Sequence, residues 1–304
     1  AFPSEALSGP TGGVPGGAPP SSLPEERLIA LDDGAVHLLD WAGTGSANAA
    51  PIHFTHANGF NARTYQPILA PLAGKAHVMA SDLRGHGATT LPADPAAHAT
   101  WRIYPADLIR VLDKLGQGPY VLAGHSMGGT TSLLVAAARP DLVRALVLFD
   151  PVAVRFPDGI DRDQIPLVVG ALKRRAVFPD IESARKAYTG RGAFKTWPAE
   201  TLDAYLAGGL KPDPEGWRLA CAPAWEAQNF RLGPPDLFDA IDALRCPVTL
   251  LHAEERSTSS AELLDRIRAR HPAARIRCVP GSTHFLPMER PDLVRDALLD
   301  AISR

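Results

Sequence analysis

The residues of this chain that most directly suggest chemistry are Gly124-His125-Ser126-Met127-Gly128, a serine flanked at two positions on either side by glycine. This is the G-x-S-x-G pattern, in which a serine stands on a sharp turn between a strand and a helix with its hydroxyl exposed for nucleophilic attack. The turn needs glycines because side chains two positions away from the serine would collide, and Gly129 extends the small-residue stretch. A serine hydroxyl is a weak nucleophile on its own, so the reading calls for a base, and for a carboxylate to orient that base. Ten histidines compete for the first role. Most read as structural: His53 and His77 lie in strand-like runs, His98 and His271 near element ends, His125 inside the elbow, and His56 and His86 in loops they would orient.

The elements around the elbow fit its requirement. Tyr120-Val121-Leu122-Ala123 is a short apolar run of buried-strand type, and Met127 to Arg139 is an Ala- and Leu-rich helical segment that stops at Pro140. Similar runs occur at Ile52 to Thr55, His77 to Ala80, Ala145 to Phe149, Val248 to Leu251 and Arg275 to Val279, with helix-length segments between them such as Trp101 to Leu115 and Asp292 to Ser303. That alternation predicts an α/β fold with a mostly parallel central sheet flanked by helices. Arg27 to Leu39, turning at Asp32-Asp33-Gly34, predicts a β-hairpin ahead of it. Residues 1–24 are rich in Gly, Pro, Ser and Ala and read as a flexible tail. Residues 155–240 break the strand-helix rhythm and read as an inserted helical lid, leaving 25–154 and 241–304 as the core.

Composition narrows the function. With 304 residues, 45% of them hydrophobic, the chain suits one large globular domain, and a net charge of -2 supplies no basic field for nucleic acid. No apolar run reaches the roughly 18 residues of a membrane span. Cys221, Cys246 and Cys278 are far apart and form no CxxC pair, and His252 with Glu254 is too sparse for a metal site, so neither metal nor organic cofactor is expected. The expected partner is a small molecule and the expected location cytoplasmic; a processed secreted form stays open, and oligomeric state is not legible.

With these landmarks the chain resembles the α/β-hydrolase superfamily, in its serine hydrolase or carboxylesterase branch, from about Arg27 to the C-terminus. The resemblance implies that the base follows the last strand, which selects His284 in Pro280-Gly281-Ser282-Thr283-His284-Phe285. It implies an oxyanion hole from the backbone N–H groups of Met127 and Asn58, the latter in His56-Ala57-Asn58-Gly59, where Ala57 replaces the usual glycine. Asp82-Leu83-Arg84-Gly85-His86-Gly87 resembles the family's structural turn. The acid departs from the commonest pattern: Ala253-Glu254-Glu255-Arg256 carries an arginine where the family's aspartate usually stands. Asp150, directly after the strand ending at Phe149, is the better substitute, as in some members of the superfamily, with Glu254 the alternative. Ser126 counts against the dehalogenase and epoxide hydrolase branches, which place an aspartate at the elbow.

The implied activity is hydrolysis of a small to medium, partly apolar carboxylic ester through an acyl-enzyme on Ser126. The alternatives are a C–C bond hydrolase or lactonase with the same residues and a ligand-binding protein of this fold. Trp197, Trp217, Trp225, Tyr188, Tyr205, Phe194 and Phe230 could wall a pocket over Ser126 or pack the lid itself. Lys173-Arg174-Arg175 reads as a solvated helix face; facing the pocket instead, it would favour a carboxylate-bearing substrate such as a half-ester.

Overall fold

The computed structural model describes residues 23–43, 49–154, 156, 157 and 159–304. The expected tail over 1–24 falls, but for its last two residues, outside them. The chain begins with the hairpin β1 (Glu25–Leu31) and β2 (Gly34–Trp41), followed by β3 (Ile52–Thr55), the short helix α1 (Gln66–Leu69) and β4 (Val78–Ser81). Next come α2 (Ile103–Leu115), β5 (Tyr120–His125), α3 (Met127–Ala138) and β6 (Val143–Phe149).

The segment after β6 contributes α4 (Pro166–Leu172), β7 (Val177–Phe178), α5 (Ile181–Tyr188), α6 (Ala199–Gly209), β8 (Leu210–Asp213), β9 (Gly216–Leu219), α7 (Pro223–Leu232) and α8 (Phe238–Ala243). The chain then closes with β10 (Val248–Ala253), α9 (Ala261–Arg270), β11 (Arg275–Val279), α10 (Leu286–Glu289) and α11 (Pro291–Ile302).

Eight strands form one sheet in the order β1-β2-β4-β3-β5-β6-β10-β11. Pairing is antiparallel from β1 through β2 to β4 and parallel across the rest. The central strands are apolar on both faces because both are covered. Val121, Ala123, Val147 and Phe149 pack with Ile68, Val294 and Leu298 from α1 and α11. Leu122, Leu146, Leu148 and Leu250 pack with Leu112, Leu133, Ile241 and Ile267 from α2, α3, α8 and α9. This gives a three-layer α/β/α stack.

Between β6 and β10 the structure holds helices and also a small antiparallel sheet, β7-β9-β8, which the helical reading of that segment omits. Its strands of two to four residues are too short to carry a periodic signal. The helix α8 belongs energetically to the large sheet, since Leu237, Ile241 and Leu244 pack beneath Leu133 and Leu250.

One core residue contradicts its surroundings. His53 of β3 is fully buried in register with Met79 and Leu122, and neither ring nitrogen has a partner among the described residues. Burial lowers its pKa to about 4, from an ordinary 6.5. Because the unfolded chain takes up this proton first, stability falls as pH drops from 6.5 towards 4, by about 1.4 kcal/mol per pH unit for this group. His53→Leu is therefore expected to raise the melting temperature more at pH 5.5 than at pH 8, as thermal denaturation at both pH values would show. An equal or larger gain at pH 8 would contradict the assignment.

Candidate active site

The parallel pairing that builds the sheet also assembles the site. His125 and Phe149 end β5 and β6 in register with each other and with Leu251, two residues before the end of β10, so the residues that follow them emerge at one edge. The ladder continues one step further, with Ser126 N–H donating to the Phe149 carbonyl at 3.0 Å and Asp150 N–H to the Leu251 carbonyl at 2.8 Å. Ser126 takes φ 57° and Asp150 φ 44°, left-handed values that turn both side chains out of their strands. The glycines around Ser126 are sterically obligatory. A methyl on Gly124 would lie 2.4 Å from the Gly128 carbonyl oxygen, and one on Gly128 would lie 2.2 Å from the Thr55 carbonyl oxygen.

The structure brings Ser126, His284 and Asp150 together. The Ser126 hydroxyl lies 3.0 Å from His284 Nε2, and His284 Nδ1 lies 2.6 Å from Asp150 Oδ2. Asp150 is fully buried. Its carboxylate also accepts from Ala253 N–H at 3.0 Å, the Ser257 hydroxyl at 2.5 Å and Thr258 N–H at 3.0 Å. Burial alone would raise the Asp150 pKa, but the His284 imidazole, the Ser257 hydroxyl and Thr258 N–H outweigh it and bring the pKa down to about 2. An ionised Asp150 requires His284 to carry its proton on Nδ1, which leaves Nε2 free to accept from Ser126. A hydroxyl on such an imidazole can be deprotonated as it attacks an electrophilic carbon.

Glu254 does not touch His284: its carboxylate accepts from Gly281 N–H at 2.8 Å and so ties down the turn before the histidine. Arg256, where the family's aspartate usually stands, has φ 53° and an exposed side chain. Sequence reasoning missed Ser257 and Thr258, although the hydroxyl run Ser257-Thr258-Ser259-Ser260 after β10 was the available signal.

Asn58 and Met127 are both buried, Asn58 in the loop whose His56 carbonyl lies against Gly128 of the elbow and Met127 as the first residue of α3. Among the described residues neither backbone N–H meets an acceptor, which leaves two donors unspent there. The loop containing Asn58 is held from several sides. Ala57 fits where a glycine was expected, its N–H bonding the Tyr65 hydroxyl at 3.2 Å. His56 and His86 clamp the loop to the 82–87 turn: Leu83 N–H donates to His56 Nε2 at 2.9 Å, and Gly59 N–H donates to His86 Nε2 at 3.0 Å. From the other side Asn58 Nδ2 donates to the Glu226 carbonyl at 3.0 Å, and Asn229 Nδ2 donates to Asn58 Oδ1 at 2.9 Å. Asn229 is itself fixed by Tyr104 and His98, whose side chains donate to its Oδ1 at 2.7 and 2.9 Å.

The aromatic residues divide. Trp197 packs at 5.0 Å on Phe60, which follows Gly59, and at 6.1 Å on Phe285, which follows His284. Tyr205 also meets Phe60, at 5.9 Å. Trp225 instead stacks on His98 at 4.5 Å and donates to the Arg84 carbonyl at 3.1 Å, while Phe230 packs against Ile165 and Val168. Lys173 and Arg175 are exposed, as a solvated face requires. Arg174 corrects that expectation: it turns inward, pairs with the Glu226 carboxylate and donates to the hydroxyls of Tyr205 at 2.6 Å and Tyr188 at 3.1 Å. Its charge is thereby already neutralised. Among the described residues no group of three or more His, Cys, Asp or Glu could hold a metal ion, and no helix is long and apolar enough to cross a membrane.

Comparison with known proteins agrees with the fold. The sequence model of the Alpha/beta hydrolase family matches residues 54–297. The 2-(acetamidomethylene)succinate hydrolase of Mesorhizobium japonicum is 26% identical over 249 residues, covering 82% of this chain and 86% of that protein. Lipase LipV of Mycobacterium tuberculosis is 33% identical over 190 residues, 61% of this chain and 67% of its own. A crystal structure of E-2-(acetamidomethylene)succinate hydrolase superposes with a TM-score of 0.74 at 24% identity, over 92% of this chain and 99% of that one, a likeness of fold.

Proposed function

Because the chain belongs to the Alpha/beta hydrolase family, we propose that it is a serine hydrolase whose nucleophile is Ser126, whose base is His284 and whose acid is Asp150. The observation that carries this reading is the unbroken hydrogen-bonded chain from the Ser126 hydroxyl through both nitrogens of His284 to the buried Asp150 carboxylate. Ser126 attacks a carbonyl carbon as His284 takes its proton; Asp150 fixes the imidazole and stabilises the imidazolium. The N–H groups of Asn58 and Met127 receive the developing oxyanion. His284 returns its proton to the leaving group, and water, activated by the same base, releases the acyl group from Ser126. Residues 155–240 act as a lid over this edge.

The preferred substrate is a small to medium carboxylic ester with an apolar portion, supported by the rings of Phe60, Trp197 and Phe285 beside the residues proposed to react. Arg174 gives no reason to prefer a half-ester, since Glu226 occupies its charge. A second reading keeps the machinery and changes the bond, to a C–C bond or a lactone. It is supported by the similarity to 2-(acetamidomethylene)succinate hydrolase, whose named substrate is not a simple ester.

Assay of p-nitrophenyl esters from acetate to octanoate is expected to give multiple turnovers, fastest at short or medium chain length. Absence of turnover at every length rules out the simple-esterase reading. A stoichiometric burst without turnover favours a ligand-binding protein instead.

A further inference from the structure

His125, the residue between Gly124 and Ser126, takes no part in the proposed reaction, yet its fully buried ring is bonded at both nitrogens. Nε2 lies 2.7 Å from the backbone carbonyl oxygen of His284, and Nδ1 lies 2.7 Å from the Tyr65 hydroxyl. A carbonyl can only accept, so Nε2 must carry the ring's hydrogen. Burial, together with the neighbouring His284, lowers the His125 pKa to about 3, so the ring is neutral and Nδ1 presents a lone pair. Tyr65 must then donate its O–H to Nδ1. Its oxygen is left to accept, and it accepts Ala57 N–H at 3.2 Å. Each donor is used once and every direction follows from the one before.

We propose that His125 is a positioning residue: a directed relay from Ala57 N–H through the Tyr65 hydroxyl and the His125 ring to the His284 carbonyl fixes the Asn58 loop and His284 relative to Ser126. Ala57 precedes Asn58, and His125 precedes Ser126, so the relay ties together the backbones of all three segments that the proposed reaction needs. This rests on the roles assigned to Ser126, His284 and Asn58. Packing alone does not account for it, because a phenylalanine of similar shape would leave the Tyr65 hydroxyl and the His284 carbonyl without their partner in a buried place. Neutrality has its own purpose. The His125 and His284 rings lie 4.9 Å apart, and a charged His125 would oppose the imidazolium that forms on His284, whereas the Asp150 carboxylate bonded to His284 Nδ1 favours it.

The test combines a readout of the proton with one of the rate. In the uniformly 15N-labelled wild type, side-chain NMR is expected to show His125 as the neutral Nε2–H tautomer from pH 5 to 9, and Tyr65→Phe is expected to shift its Nδ1 resonance. With p-nitrophenyl butyrate, His125→Phe is expected to lower kcat about 100-fold with KM changed less than about threefold, the signature of misplaced reacting groups. Tyr65→Phe is expected to cost about tenfold, and the double variant no more than His125→Phe alone, since both break one relay. His125→Gln, whose amide can both donate and accept, is expected to recover most of the lost kcat.

An Nδ1–H tautomer or an imidazolium at His125 in the wild type would overturn the proposal, as would additive losses in the double variant or a His125→Phe enzyme within about threefold of wild-type kcat. Labelling with a fluorophosphonate separates the two readings. If Ser126 of the wild type is not modified, the serine-hydrolase assignment fails while the tautomer measurement still decides the relay.

Discussion

Ser126→Ala is expected to remove turnover of any ester the wild type accepts, with a fall in kcat on the order of 10⁶, close to 8 kcal/mol of transition-state stabilisation. The loss is that large because in the proposed reaction the covalent intermediate forms on Ser126; what would remain is the positioning and oxyanion contribution proposed for the Asn58 and Met127 amides. The substitution suits interpretation well. Among the described residues the Ser126 side chain bonds only to His284, and alanine at φ 57° bears strain comparable to the serine it replaces, so the melting temperature should hardly move. Steady-state kinetics with p-nitrophenyl butyrate, and mass spectrometry for an acyl adduct on the peptide containing residue 126, are the measurements. Residual kcat above about one per cent of wild type would place the nucleophile elsewhere.

The second large effect separates two carboxylates. Asp150→Asn is expected to lower kcat about 10⁴-fold, whereas Glu254→Gln stays within about fivefold of the wild type. Asp150 accepts from four residues at once, and an amide in its place turns one of the two accepting oxygens into an NH2 that can only donate. Facing His284 Nδ1, that amide favours the tautomer with its proton on Nε2, which cannot accept from Ser126. Among the described residues Glu254 holds only the Gly281 N–H, a contact glutamine can keep through its oxygen. The same comparison has a stability side. The Asp150 pKa is depressed in the fold, so its contribution is present at neutral pH and is lost as pH falls from near 4 towards 2. Asp150→Asn should abolish that part of the acid limb. If Glu254→Gln proves the more damaging change, the acid is Glu254 and the relation of Ser126 to His284 is unaffected.

Much of this architecture is legible in the chain because it depends on neighbours in sequence. Continuous apolar runs such as Ala145 to Phe149 announce strands covered on both faces, and Gly124 and Gly128 announce a turn too crowded for side chains. Asp150 is legible for a similar reason, since a residue directly after a central strand can only emerge at the sheet's carboxyl edge. Ser257 and Thr258 are not. Their role depends on a carboxylate more than a hundred positions away, and hydroxyls in a loop have no period to betray them. Arg174 shows the limit of charge patterning: three basic residues in a row read as one solvated face, yet the middle one turns inward to Glu226, a partner invisible until α4 and α7 are packed together. The small β7-β9-β8 sheet escaped because a pairing as short as Val177–Phe178 has no alternation to read.

The bonds from Asn229 and the Glu226 carbonyl to Asn58 have a practical consequence for anyone who would retarget this protein. Exchanging the whole of residues 155–240, the proposed lid, for a counterpart would disturb the Asn58 loop as well as the proposed roof, because α7 braces that loop. Diversification belongs on α4 and α5, where Leu167, Leu172 and Ile181 face outward, and α7 should be inherited unchanged. In this scaffold the portable module is smaller than the insertion that contains it.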